Sequence, residues 1–210
     1  MSNLRLCRNE HGVPGRPNLR LCRNEHGVPG RPRAKNNILF QLTGSIACYK
    51  ACNVISRLVQ EGCEVKTVVS ANALKFIGKS TLEGLSHNAV YTDTFEDRSA
   101  LEHIALTKWL DLAIICPATA NIINKLAAGI GDDYISTVFL AFDFAKPYLV
   151  APAMNRNMWA HPATKRSTGI LRGWGVKMLG AGTGYQACGD KGAGRLLEPE
   201  AIYKEIRKNL

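Results

Sequence analysis

Beyond residue 36 the chain alternates short apolar runs with longer stretches whose apolar positions recur every three or four residues. The first run, Asn37–Thr43, predicts a strand that ends at Gly44-Ser45. Helical periodicity follows over Ile46–Glu61 and stops at Gly62. Valine-rich Glu64–Ser70 predicts a second strand. After one further helix and some irregular chain, Glu102–Leu110 predicts a helix, and Leu112–Cys116 a continuous apolar strand closed by Pro117. Helices over Ala120–Ala128 and Asp132–Phe142, a strand over Pro147–Ala151, a helix over Ala163–Trp174, a strand over Val176–Leu179 and a helix over Pro199–Lys208 complete the pattern. Apolar strands alternating with helices predict an α/β architecture, a doubly wound parallel sheet with helices on both faces. Ligands of such sheets bind beyond the carboxyl ends of the strands. Three loops fall there: Gly44-Ser45, Pro117–Asn121 and Pro152–Trp159.

Composition agrees with one sizeable domain. The chain has 210 residues, 46% hydrophobic and 21% charged, as in ordinary globular proteins. No apolar run is long enough to span a bilayer, and no apolar leader opens the chain, so a cytoplasmic protein without a membrane partner is expected. The formal charge of +10 resembles a nucleic-acid signal. Its distribution argues otherwise: residues 1–35 hold eight Lys/Arg against two acidic groups, and the remainder 19 against 15. The excess belongs mainly to the tail, so the body needs no polyanionic partner.

That tail, residues 1–35, is expected to be a flexible arm preceding a domain over 36–210. It is a perfect tandem repeat of 15 residues, 3–17 and 18–32, too short and polar for a solenoid. Each copy sets Cys and His four apart (Cys7/His11 and Cys22/His26), a set able to bind Zn²⁺. A duplicated extension without metal is the favoured reading. The cysteines of the body (48, 52, 63, 116 and 188) form no close pair of metal or redox type and read as reduced thiols, mostly packed inside.

The chemistry-bearing motifs are individually ambiguous. Thr43-Gly44-Ser45-Ile46-Ala47 opens the first helix: Gly44 permits close backbone approach, and Ser45 offers a hydroxyl and an N-cap. Local sequence leaves both a phosphate cradle and a plain tight turn open. Gly182-Thr-Gly184-Tyr-Gln-Ala187 matches a dinucleotide fingerprint, but no convincing helix follows, so Gly180–Arg195 reads as a mobile glycine-rich flap carrying Cys188. His103 opens a helix and, taken alone, reads as a surface or satisfied residue. Asn121 and Asn124 suit caps or surface positions. Residues 152–159, Pro-Ala-Met-Asn-Arg-Asn-Met-Trp, put an amide, two thioethers and an aromatic ring in one loop, and Cys188 lies 33 positions beyond Asn155.

Together these motifs carry a resemblance. Thr-Gly-Ser-Ile-Ala (43–47), His-Ile-Ala-Leu-Thr-Lys-Trp-Leu-Asp (103–111), Pro-Ala-Thr-Ala-Asn (117–121), Ala-Pro-Ala-Met-Asn-Arg-Asn-Met-Trp (151–159) and Ala-Cys-Gly-Asp (187–190) resemble, in order, the flavin-dependent cysteine decarboxylases. The repeat tail has no counterpart there. The resemblance implies a three-layer Rossmann-like (flavodoxin-like) domain with FMN as cofactor. It puts Gly44, Ser45 and Ile46 on the FMN phosphate and ribityl chain, with Ser70 and Asn72. Thr119, Ala120, Asn121 and Ile122 would line the flavin, and Ala153 would approach it. His103 would be the catalytic base and Cys188 the proton donor. Asn155 would hold the substrate carboxylate, with Met158, Tyr185, Gln186 and Ala187 around the substrate. No metal is implied.

The implied chemistry solves a known difficulty. A simple amino-acid carboxylate leaves poorly, because the carbanion has no electron sink. Oxidising the thiol-bearing carbon to a thioaldehyde places the carboxylate β to a C=S group, and loss of CO₂ gives an enethiolate. An imidazole, titrating near neutrality, suits His103 for the first deprotonation. A thiol, ordinarily protonated at pH 7, suits Cys188 as the acid that completes the saturated product. Family members acting on peptides generally lack Ala-Cys-Gly. Cys188 therefore favours the branch acting on the small molecule 4′-phosphopantothenoylcysteine, in coenzyme A biosynthesis. The alternatives are a peptidyl-cysteine oxidative decarboxylase, a flavin-binding regulatory subunit resembling phosphatase inhibitors, and a flavin prenyltransferase. Many bacterial relatives carry a fused synthetase domain; the end at Leu210 implies a monofunctional chain or a separated decarboxylase half. Family members assemble as trimers, or dodecamers of trimers, with the flavin at subunit contacts, so His103 is expected to serve a neighbouring copy.

Overall fold

The computed structural model describes residues 36–93 and 101–210. The tandem repeat, with Cys7, His11, Cys22 and His26, and the division into tail and domain fall on residues 1–35, outside the described residues. In chain order the elements are β1 (Asn37–Leu42), α1 (Cys48–Gln60), β2 (Glu64–Val69), α2 (Lys79–Ser86), β3 (Val90–Tyr91), α3 (Glu102–Trp109), β4 (Leu112–Ala118) and α4 (Ala120–Ala128). They continue with α5 (Tyr134–Leu140), β5 (Tyr148–Pro152), α6 (Arg156–Ala160), α7 (Pro162–Gly173), β6 (Lys177–Met178), β7 (Gly182–Tyr185), β8 (Lys191–Arg195) and α8 (Pro199–Lys208). β1 to β6 pair in parallel in the order β3-β2-β1-β4-β5-β6, so the order reverses between β1 and β4.

Strand composition explains this sheet. All seven residues of β4 and five of six in β1 are buried, as expected where helices cover both faces. Alternation still sorts the side chains. Ile38, Phe40, Leu42, Leu112 and Ile114 join one apolar layer with α1 and α8, whereas Leu39, Ala113 and Ile115 join the other with α4 and α5. A fully buried aliphatic side chain contributes about 1.5–3 kcal/mol, while an exposed pair such as Lys204–Glu200 is screened by water and contributes little. The two layers, not the surface ion pairs, hold the fold.

The three-layer doubly wound sheet agrees with the sequence reading, and α4 and α8 match their predicted bounds. The differences have local causes. The first helix starts at Cys48 rather than Ile46, because Ser45 O accepts the Cys48 N–H at 3.0 Å and Ser45 Oγ the Ala47 N–H at 3.3 Å, forming a turn first. Ala47, not Ser45, is the N-cap residue. β4 runs through Pro117 to Ala118, since its register with β5 shifts between Ile115 and Ala118 and admits a residue without an N–H. The helix predicted over Asp132–Phe142 shortens to α5, capped by Asp133, whose Oδ1 accepts the Ser136 N–H at 2.8 Å. The glycine-rich stretch read as a flap is an antiparallel hairpin, β7 on β8. Neither β3 nor α6 stands out in the apolar pattern; they have only two and five residues.

Candidate active site

Where the strand order reverses, the carboxyl ends of β1 and β4 diverge and leave a crevice. A cavity of about 760 Å³ lies there, lined by the β1–α1 turn, Thr119, the loop after β5, and the β7–β8 hairpin. One buried hydroxyl ties the two strand ends. Thr43 Oγ1 donates to Pro117 O at 2.7 Å and accepts the Thr119 N–H at 3.0 Å. Thr119 then caps α4, its side chain accepting the Ile122 N–H at 3.4 Å. Gly44 follows Thr43 and packs against the loop after β2. A Cβ at Gly44 would stand 2.6 Å from Asn72 Cβ and 3.0 Å from its carbonyl carbon, so no larger residue fits.

The opposite wall is the hairpin. Its tie to the loop after β5 runs largely through one amide: Gln186 Nε2 donates to Met154 O at 3.3 Å and Ala193 O at 3.1 Å, and Gln186 Oε1 accepts the Arg156 N–H at 3.2 Å. Met154 N donates to Gly194 O at 2.8 Å. Gly194 has φ 121°, and a Cβ there would lie 2.5 Å from Met154 O, so this contact too demands glycine. At the base of the hairpin, Arg195 Nη2 bonds Glu198 at 3.0 Å, and Glu198 also takes Lys50 Nζ at 2.8 Å. That ammonium hydrogen bond holds the Glu198 carboxyl below its usual range. Lys50 itself is buried, on the first turn of α1.

Between the walls stand Asn155, Cys188 and Asp190. Asn155 caps α6, its Oδ1 accepting the Asn157 N–H at 2.8 Å. Its Nδ2 donates to Cys188 Sγ and to Asp190 Oδ2, each at 3.3 Å. The single Cys188 S–H has two acceptors within reach, Asp190 Oδ2 at 3.6 Å and Gln186 Oε1 at 3.8 Å. A thiol on an exposed turn, next to an amide able to bind a carboxylate, can deliver a proton to a ligand held there. The other thiols differ: burial pushes Cys48 and Cys116 up, and neither lines the cavity.

Of the residues singled out from sequence, Gly44, Ser45, Ile46, Thr119, Ala153, Asn155, Met158, Tyr185, Gln186, Ala187 and Cys188 line the cavity together. Asn72 borders it through Gly44, and Ser70 lies in the same loop, its Oγ accepting the Ala73 N–H at 3.3 Å. Ala120 and Ile122 are buried in α4, and Asn121 is exposed there. His103 sits on the first turn of α3, outside the lining, and its Nδ1 is buried without a partner among the described residues. The sequence reading missed Lys50, Met154, Asp190, Gly194 and Arg195. Asp190 and Met154 had a signal, their places in Ala-Cys-Gly-Asp and Pro-Ala-Met-Asn; Lys50, Gly194 and Arg195 depend on contacts that no local motif announces.

A doubly wound sheet with a glycine-floored cavity at its strand-order reversal defines a nucleotide-cofactor protein of the α/β class. The flavoprotein family model matches residues 27–210, and the chain belongs to that family. It is 45% identical over 175 residues to the coenzyme A biosynthesis bifunctional protein CoaBC of Bacillus subtilis (strain 168), covering 82% of this chain and 43% of the relative. The chain thus spans about two fifths of the length of the curated relatives it matches, 43% and 40% in two of them. Among solved structures it is similar to a PPC decarboxylase mutant complexed with pantothenoylaminoethenethiol, with TM-score 0.76, 32% identity and coverage of 83% of this chain and 98% of that one. It is also similar to the FMN binding protein AtHal3, with TM-score 0.74, 33% identity and coverage of 83% and 96%. The residues fit a flavin: the cavity has the volume of a cofactor site, and the Gly44 floor lets a ligand approach the backbone where α1 begins.

Proposed function

We propose that this chain is an FMN-dependent decarboxylase that converts 4′-phosphopantothenoylcysteine to 4′-phosphopantetheine in coenzyme A biosynthesis. The observation that carries the reading is the meeting of Asn155 Nδ2 with the Cys188 thiol, 3.3 Å apart, beside a cavity at the switch point. The names of the similar proteins support it: a bifunctional coenzyme A biosynthesis protein, a PPC decarboxylase and an FMN binding protein. They do not favour the peptide-decarboxylating, regulatory-subunit or prenyltransferase alternatives.

Gly44, Ser45, Ile46, Thr119 and Ala153 hold the FMN from the sheet side, with Ser70, Asn72, Ala120, Asn121 and Ile122 supporting it from the adjoining loop and helix. Bound FMN would supply a reversible two-electron acceptor at the thiol-bearing carbon of the substrate, so that the overall conversion is redox-neutral. The Asn155 amide holds the substrate carboxylate without a formal charge, so the group is oriented and still free to leave as CO₂. Met158, Tyr185 and Ala187 cover the substrate from the hairpin side. After CO₂ departs, the Cys188 S–H bond breaks and its proton goes to the carbon of the enethiolate. His103 is the base for the first deprotonation. It lies outside the lining of its own cavity, so the same proposal includes a trimer, alone or gathered into a dodecamer, in which it serves an adjacent copy. Exposed apolar Ile46, Tyr49 and Phe76 around the mouth suit such an assembly, and the cytoplasm is the expected compartment.

The test is mass spectrometry of the product formed from 4′-phosphopantothenoylcysteine by the FMN-loaded protein. Wild type is expected to give the saturated thiol. Cys188→Ser is expected to release CO₂ and accumulate the enethiol, lighter by two hydrogens. A Cys188→Ser protein that makes saturated thiol at the normal rate overturns the proton-donor role, and a wild type that releases no CO₂ overturns the function.

A further inference from the structure

We propose that Asp190 is a built-in stand-in for the substrate carboxylate, occupying the Asn155 amide until the substrate displaces it and returning once CO₂ has left. The inference rests on the function proposed above. Its geometric basis is the fixed orientation of Asn155. The Oδ1 of that side chain accepts the Asn157 N–H at 2.8 Å, which turns Nδ2 toward the hairpin. Both Nδ2 hydrogens are then spent, one on Cys188 Sγ and one on Asp190 Oδ2, each at 3.3 Å. A carboxylate thus already sits where the substrate carboxylate is to bind, and the same Oδ2 accepts from the Cys188 thiol at 3.6 Å.

An arriving substrate acid must take one of these two places. Displacing the thiol would leave two carboxylates on one neutral amide, with like charges in contact and no cation between them. Asp190 forms no ion pair among the described residues. Asp190 is therefore the group that yields. Its movement needs no rearrangement of the hairpin. Asp190 O is held by the Gln186 N–H at 2.8 Å, and the turn is closed by the Gly189 N–H on Gln186 O at 2.9 Å, with Gly189 at φ 87°. The side chain is exposed, so rotation about its own bonds carries the carboxylate into water. A ligand lacking the acid group leaves the amide to Asp190. The site thereby carries a cost for the substrate acid that the decarboxylated product does not bear.

The test compares two ligands by calorimetry on FMN-loaded wild type and Asp190→Ala: 4′-phosphopantothenoylserine, which keeps the carboxylate and lacks the thiol, and 4′-phosphopantetheine. The serine compound is expected to bind Asp190→Ala about threefold to tenfold more tightly than wild type, the scale of one exchanged hydrogen bond. The affinity for phosphopantetheine should stay within about twofold. Weaker binding of the serine compound, or an equal shift for both, overturns the proposal. A second readout needs no substrate: the ratio of Cys188 alkylation rates by anionic iodoacetate and neutral iodoacetamide. This ratio should rise several-fold in Asp190→Ala and in Asp190→Asn, which keeps the shape and drops the charge; an unchanged ratio overturns the proposal. If wild type binds neither compound, the substrate reading fails, and the alkylation ratio still decides the role of Asp190.

Discussion

The sheet side and the hairpin side of the cavity face the same space but are held by different physics. On the sheet side the contacts are buried: Thr43 is 3% exposed and satisfied by two backbone groups from β4 and the residue after it. On the hairpin side Tyr185 is 72% exposed, and the tie to the body runs through the Gln186 and Asn155 amides, the Gly194 contact with Met154 and a surface carboxylate. Buried hydrogen bonds are costly to break and fix geometry; exposed ones exchange with water at small cost. The difference makes the sheet side rigid and the hairpin side adjustable; under the proposed function the first would hold the cofactor and the second the substrate that is turned over.

Three substitutions probe that contrast. The largest effect is expected for Gly44→Ala, because the added methyl meets the Cβ and backbone of Asn72 rather than a flexible tip. FMN content after purification should fall to a small fraction of wild type, and apparent Tm should drop by about 4 °C or more. Retention of full flavin by this variant would show the sheet side to be as yielding as the hairpin. Next is Gln186→Ala, which removes the strut between hairpin and loop while touching no buried apolar group. It should lower kcat/KM about tenfold, with Tm within about 2 °C of wild type. Equal losses in activity and thermal stability would make the hairpin part of the folding core.

The smallest effect concerns pH. The Glu198 carboxyl is held low by Lys50, so it binds fewer protons folded than unfolded at mildly acid pH. Its contribution is present above the ordinary carboxylate range, near pH 4.5, and is lost as pH falls through the lowered folded value. Thermal melts from pH 7 down to 3 should show this loss in wild type. Glu198→Gln should melt lower by about 2 °C at neutral pH and lack that part of the pH dependence. A variant with an unchanged pH profile would remove Lys50–Glu198 from the account of how the hairpin base is anchored.

The contrast also explains what the sequence made legible. Central strands and long helices announce themselves through apolar spacing, so β1, β4, α4 and α8 were readable. Motif residues such as Asn155 and Cys188 were readable through their spacing and their resemblance to a family. The hairpin reads as a flap in sequence because its glycines carry no alternation; its docking on the loop after β5 rests on Gly194 meeting Met154, 40 positions away in the chain. Lys50 stayed hidden because a lysine on an exposed helix turn and one buried against Glu198 look alike locally. Asp190 lies within the Ala-Cys-Gly-Asp motif, but its partner Asn155 is 35 residues away.

The Thr43 hydroxyl has a consequence for how the protein is born. Its partners lie 74 and 76 residues further along the chain, so during synthesis the sheet side of the cavity is incomplete until β4 has emerged and paired with β1. A cofactor that needs both strand ends binds only the finished sheet, and by mass action it then holds that sheet against unfolding. Flavin colour in a cell lysate would therefore count completed molecules rather than synthesised ones.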